Sequence, residues 1–277
     1  PPTAFTPEPV RRRVAGMKKY ILLNLSALFA FFLAACMFIS CGKSKKSKPS
    51  EEGQRQPKTS PSAKPLLSSR EQKIAKSIYN QKQIGAGYVS YLGDHDGWFP
   101  TVYGPAGLGG KTGNAKGGSG PLPAIAVKLF GAKVPEAERP LNKYVGSSKI
   151  FHDPADTGST LYKMSSCWNT LGTSYQPPVA DDQFRVKRVL GEKTEKKGSY
   201  EATSMHESEI IKPTNKIIQG DWNWPYDGEG AWHAKEGEAR HIMLYADIHI
   251  SEFVFPPTTQ MMKWQHQPPP DPSYKWW

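Results

Sequence analysis

Between Ser68 and Pro100 apolar residues return at three- and four-residue spacing: Ile74, Ile78, Gly85, Tyr88 and Leu92 carry the stripe, and Ala75, Ile84 and Val89 widen it. Ser69, with Gln72 three residues on, reads as a capping box. Gly93 and the turn-rich Asp94-His95-Asp96-Gly97 close the pattern, and Trp98-Phe99-Pro100 returns to apolar surroundings. The stretch predicts an amphipathic helix of about six turns. A single apolar face of that length needs a sheet or other helices to lie on.

A second period appears near the other end. Along Ile242–Ile250 the even positions are apolar, and His241, Met243, Tyr245, Asp247 and His249 alternate with them. This predicts the last strand or closing hairpin of a sheet. It also places three metal-ligand types, His241, Asp247 and His249, on one face. Asp247 and His249 lie about 7 Å apart along a strand, but His241 is about 20 Å from the pair unless the chain folds back.

Between these patterns the reading is coarser. Gly104–Gly120 has no period and reads as a flexible surface loop; Gly107-Leu-Gly-Gly-Lys-Thr lacks the flanking strand and spacing of a phosphate loop. Ala124–Phe130 and Pro140–Tyr144 read as short helices closed by Gly131 and Gly146. Val186–Leu190 and Ile210–Gln219 read as strands. Trp222, Trp224, Tyr226 and Trp232 form an aromatic segment suited to stacking on sugar rings or a partner surface, or to a core. Asp94-His95-Asp96-Gly97 offers oxygens for calcium but lacks the acidic twelfth position of a calcium loop, so it reads as a turn. The tail Pro256–Trp277, with three prolines at 268–270, reads as an extended, partly disordered arm. The fold class expected is α+β: a long N-terminal helix packed on an antiparallel β-sheet, with irregular loops, in one domain over 69–255.

The chain upstream of that domain is different in kind. Residues 1–16 are Pro- and Arg-rich and read as an extension ahead of a start at Met17. Lys18-Lys19 followed by the apolar run Ile21–Ile39 is a secretory signal. Leu33-Ala34-Ala35-Cys36 reads as a lipobox, with Cys41 a second lipidation candidate; an uncut membrane anchor is the alternative. The polar linker 42–68 contains Pro49, Pro57, Pro61 and Pro65, each of which blocks continuation of a helix. Each of these readings tethers the domain to a membrane outside the cytoplasm.

Net charge then changes the picture. The whole chain is +11, but residues 70–277 hold 24 basic against 22 acidic residues, so the excess sits in the signal and linker. The folded part has no electrostatic footprint for nucleic acid. The basic linker suits anionic head groups or a solvated spacer. Cys167 is the domain's single cysteine, so no disulfide forms within it. No nucleophile setting is recognisable, and no cofactor is called for.

Asn80-Gln81-Lys82-Gln83-Ile84-Gly85, Tyr91 and Asp94-His95-Asp96-Gly97-Trp98-Phe99-Pro100 resemble the "NNLKQIG…Y…DNDGWFP" segment of bacterial type II secretion pseudopilin-like proteins, in the group with a His-x9-Asp-Gly C-terminal motif. Four later segments fit in the same order: Arg139–Gly146, Phe151–Asp156, Gly172–Tyr175, and Trp232-His233 through Ala246-Asp247-Ile248-His249. The resemblance implies a pilin-like fold and envelope or secretion-system partners. It also implies a hairpin with an Asp-Gly turn where this chain has Asp247-Ile248, and a cysteine pair where it has Ile78 and Asp153. The prepilin leader that normally runs straight into the helix is replaced by the lipobox and linker. The function expected is a structural or binding envelope lipoprotein, with a metal-dependent hydrolase or a carbohydrate-binding module as alternatives.

Overall fold

The computed structural model describes residues 67–115, 124–226, 231–234 and 238–277. The upstream extension, the signal segment with Cys36 and Cys41, and the linker as far as residue 66 lie outside the described residues. Among the described residues no helix is long and apolar enough to cross a membrane.

Helix α1 spans Ser69–Asp94, about seven turns. Its cap falls one residue before the expected one. The Ser68 hydroxyl accepts from the Glu71 amide at 3.3 Å, and the Glu71 carboxylate accepts from the Ser68 amide at 2.7 Å. Glu71 is the better partner because its charge also suits the positive end of the helix dipole, where Gln72 offers none. Gln72 instead donates to the Leu67 carbonyl. The buried stripe is Ser77, Asn80, Gln81, Ile84, Gly85, Gly87 and Tyr88. Ala75 and Val89 face solvent, which narrows the apolar face and gives its N-terminal half to polar side chains.

The domain is α+β, and its main sheet has four antiparallel strands in the order β2 (Tyr175–Gln176), β4 (Ile217–Asp221), β5 (Ala239–Tyr245), β6 (Ile250–Phe255). β1 (Thr101–Val102) and β3 (Gly191–Glu192) make a separate two-residue parallel ladder. Two short helices, α2 (Ala124–Leu129) and α3 (Cys167–Leu171), lie in the long irregular stretch between α1 and the sheet, and 3₁₀ turns at Pro140–Tyr144 and Ser148–Phe151 pack against α1.

Ile84 and Tyr88 of α1 share a core with Ile218, Leu244 and Phe99. Where α1 meets the β5–β6 hairpin, a Cβ on Gly85 would stand 2.8 Å from Ile248 Cγ2 and 3.2 Å from Leu244 Cδ1, so glycine is what admits these side chains. Ile248 occupies the turn with φ +67°, a conformation that a glycine adopts easily and a β-branched residue does not. Its side chain packs against the α1 core, and that burial offsets the strain.

Several expectations are corrected by how the chain covers itself. β5 is buried on both faces: Leu244 turns toward α1, while Met243 and Tyr245 pack with Phe255, Met261 and Trp224. Alternation is therefore a poor guide to exposure here. The covering layer is the tail, an ordered part of the fold that includes α4 (Thr258–Lys263). The Trp277 carbonyl accepts from the Ile217 amide, Trp276 donates to the Phe184 carbonyl, and Arg185 stacks on Trp264 and Tyr274. Aromatic mass outweighs proline content here. Residues 104–115 are largely interior, because the glycines permit close approach: a Cβ at Gly109 would lie 2.0 Å from the Phe151 ring. Val186–Leu190 makes only isolated bridges, and Ile210–Lys216 is a turn leading into β4.

Candidate functional site

The fold gathers acidic and imidazole groups beneath the N-terminal half of α1. Asp153 comes from the loop after the 3₁₀ turn Ser148–Phe151, Asp221 ends β4, and His233 lies in the segment before β5. Their ligand atoms all fall within 4.8 Å of one another, and all three residues are buried. His233 Nε2 is 3.1 Å from Asp153 Oδ2 and 4.0 Å from Asp221 Oδ1.

Each carboxylate is anchored through one oxygen and aimed with the other. Asp153 Oδ1 accepts from the Ala155 amide at 2.7 Å, and Oδ2 accepts from the Ser77 hydroxyl at 2.5 Å. Tyr175 OH stands 3.4 Å from that same hydroxyl. The β4–β5 ladder ends at Gly220 opposite Met243, and beyond it Asp221 Oδ2 accepts from the Ile242 amide at 3.0 Å. Gln81 of α1 donates to the Ile242 carbonyl at 2.7 Å, so two side chains complete what a longer β4 would have paired. Asp221 Oδ1 has no hydrogen-bond partner among the described residues. His233 is tied in by its own carbonyl, which accepts from Arg70 at the start of α1.

Burial works against a charge on His233, but the Asp221 and Asp153 carboxylates outweigh it and raise its pKa above the ordinary histidine value. Burial and the nearby Asp153 push the Tyr175 phenol well up, keeping it a neutral hydroxyl. One imidazole nitrogen and two carboxylate oxygens form a donor set that can hold a proton or a small divalent cation.

The three metal-ligand residues read from the strand pattern are not brought together. His241 is buried on β5, with Nε2 2.8 Å from the Tyr226 carbonyl and Nδ1 3.6 Å from Asp221 Oδ2. Asp247 and His249 pair with each other at 2.5 Å in the hairpin turn, where His249 stacks on Tyr245. Two residues of that turn cannot meet a histidine on the far side of three ladder pairs. Nor do the tryptophans make a binding face. Trp222 and Trp224 are buried, the first edge-on to Phe130, the second stacked on Phe255 and donating to the Gln176 carbonyl. Trp232 donates to the Gly158 carbonyl, and Tyr226 packs edge-on to Phe184. Asp94 ends α1 and His95–Gly97 is a turn, its Asp96 carbonyl 2.8 Å from His206 Nε2.

Sequence reading misses Asp153 and Asp221 because no helix or strand period links them to His233. One signal is present: an acid three residues after the apolar pair Ile217-Ile218, in the same short strand, is costly to bury without a purpose. Where the resemblance implies a cysteine pair at 78 and 153, the Ser77 hydroxyl bonds to Asp153 instead. Cys167 is a free thiol, and burial pushes its pKa well up, which makes it unreactive. In comparisons with family models, curated proteins and solved structures, nothing matches this chain.

Proposed function

We propose that the chain is an exported, lipid-tethered envelope protein whose domain has a pilin-like arrangement and serves a structural or binding role, with envelope or secretion-system proteins as its partners. The observation that carries this reading is α1 lying against the β5–β6 hairpin of an antiparallel sheet, at the segments that resemble pseudopilins. The signal-like run before it and the proline-bearing linker supply the tether. A non-catalytic role is favoured because the polar cluster beneath α1 is buried and the Asp247–His249 pair is a surface contact between two neighbours in one turn.

Mass spectrometry of the mature protein from a bacterial membrane fraction tests the reading. The expected result is an N-terminal diacylglyceryl cysteine at Cys36 or Cys41. A mature chain that carries no lipid and fractionates away from membranes overturns it.

A further inference from the structure

We infer that Asp153, Asp221 and His233 form a binding site for one divalent cation of the zinc class, set between α1, β4 and the two loops that meet them. The inference is independent of the tether and of the pilin-like reading.

Four observations carry it. The donors converge: the separations from His233 Nε2, 3.1 and 4.0 Å, bracket the roughly 3.3 Å expected between ligands about 2 Å from a tetrahedral ion. Each carboxylate is held from behind through its other oxygen, Asp153 Oδ1 by the Ala155 amide and Asp221 Oδ2 by the Ile242 amide, as outer-shell groups hold metal ligands. Asp221 Oδ1 is fully buried, faces His233 and has no hydrogen-bond partner among the described residues. Finally, all three donor residues are buried together, so a dication between them would compensate two carboxylates taken out of water. His241 Nδ1 lies 3.6 Å from Asp221 Oδ2, the oxygen that accepts from the Ile242 amide, and His241 is not among the three converging donors.

Donor chemistry selects the ion. Calcium asks for six to eight oxygens, and magnesium for an octahedron that keeps several waters. One buried imidazole with two carboxylates suits zinc, with cobalt as its spectroscopic substitute.

The test uses the full-length chain, stripped with a chelator and titrated with zinc alone. The expected result is one equivalent bound and a higher melting temperature. With cobalt in its place, the amides of Ala155 and Ile242 are expected to show the largest paramagnetic shifts. His233→Gln and Asp221→Asn are expected to weaken zinc binding at least a hundredfold, while Asp247→Asn with His249→Gln on the surface leaves it unchanged. If the buried variants do not fold, the paramagnetic shifts of the unmodified chain decide the location. Absence of zinc binding to the folded chain, or cobalt shifts centred on Asp247 and His249, overturns the inference.

Discussion

Where α1 crosses the sheet, Ile84, Tyr88, Ile218 and Leu244 meet in an apolar layer; where residues 104–115 run past 132–142 and 167–172, the centre is a guanidinium. Arg139 is fully buried and donates to the carbonyls of Gly109, Ala132, Val134 and Leu171. Burial lowers its pKa to about 10, which still leaves it charged at neutral pH. Nearby, Asp156 accepts from the amides of Gly158, Cys167 and Trp168 and from the hydroxyls of Ser166 and Ser174, closing the loop onto α3. The helix–sheet half exchanges water for hydrocarbon, and the other half uses charged hubs to satisfy a backbone with few ladders of its own. Irregular chain buried without ladder partners needs such hubs, because each unpaired carbonyl carries a desolvation cost.

The contrast is sharpest under substitution. Arg139→Met takes the guanidinium from four carbonyls, of which Ala132 keeps the Gly113 amide, and is expected to cost about 3–5 kcal/mol in urea unfolding. Arg139→Lys recovers little of that loss, since a point charge cannot span four acceptors. Leu244→Ala, in the apolar half, is expected to cost about 2–5 kcal/mol as a cavity, and Leu244→Met less than about 1.5 kcal/mol. Survival of the conservative swap in one half and its failure in the other is the signature of the two kinds of interior.

A smaller effect joins the tail to β4. Lys216 is buried, and its Nζ donates to the carbonyls of Lys187 and Trp277 rather than to a carboxylate. Burial, reinforced by Lys187 and Arg188 and only partly opposed by Asp182, lowers its pKa well below the ordinary 10.5. The unfolded chain therefore holds a proton that the folded chain lacks, between the lowered value and 10.5, and stability rises with pH through that window. Thermal unfolding from about pH 6 to about pH 10 is expected to show that rise, and Lys216→Met to flatten it while raising stability at the acid end.

The smallest effect concerns the helix–hairpin contact. Gly85→Ala gains helix propensity but meets Ile248, and is expected to destabilise by about 1 kcal/mol. With Ile248→Gly the turn loses its strain and the new methyl group at position 85 meets only Leu244 Cδ1, at 3.2 Å, so in that background the same change is expected to cost less than in the wild-type chain. A double-mutant cycle in urea reads the coupling directly.

How much of this is legible in the sequence follows from the same contrast. The period of α1 and the hairpin near 248 can be read because a regular element facing one apolar layer writes its spacing into the sequence. Ser77, Asn80 and Gln81 are not legible as buried, since a polar residue looks the same on a wet face and over a satisfied site. The tail reads as disordered because Pro content says nothing about what Trp264, Trp276 and Trp277 pack against. Asp153, Asp221 and His233 converge only in three dimensions, through loops with no period of their own.

Hydrogen exchange on Arg139→Met, followed residue by residue under native conditions, tests most directly whether the two halves are held by different means. The expected result is lost protection at Lys111, Gly113, Ala132 and Gly172, with β4, β5 and β6 protected as before. Equal loss throughout the sheet, or no change around residue 139, contradicts the account.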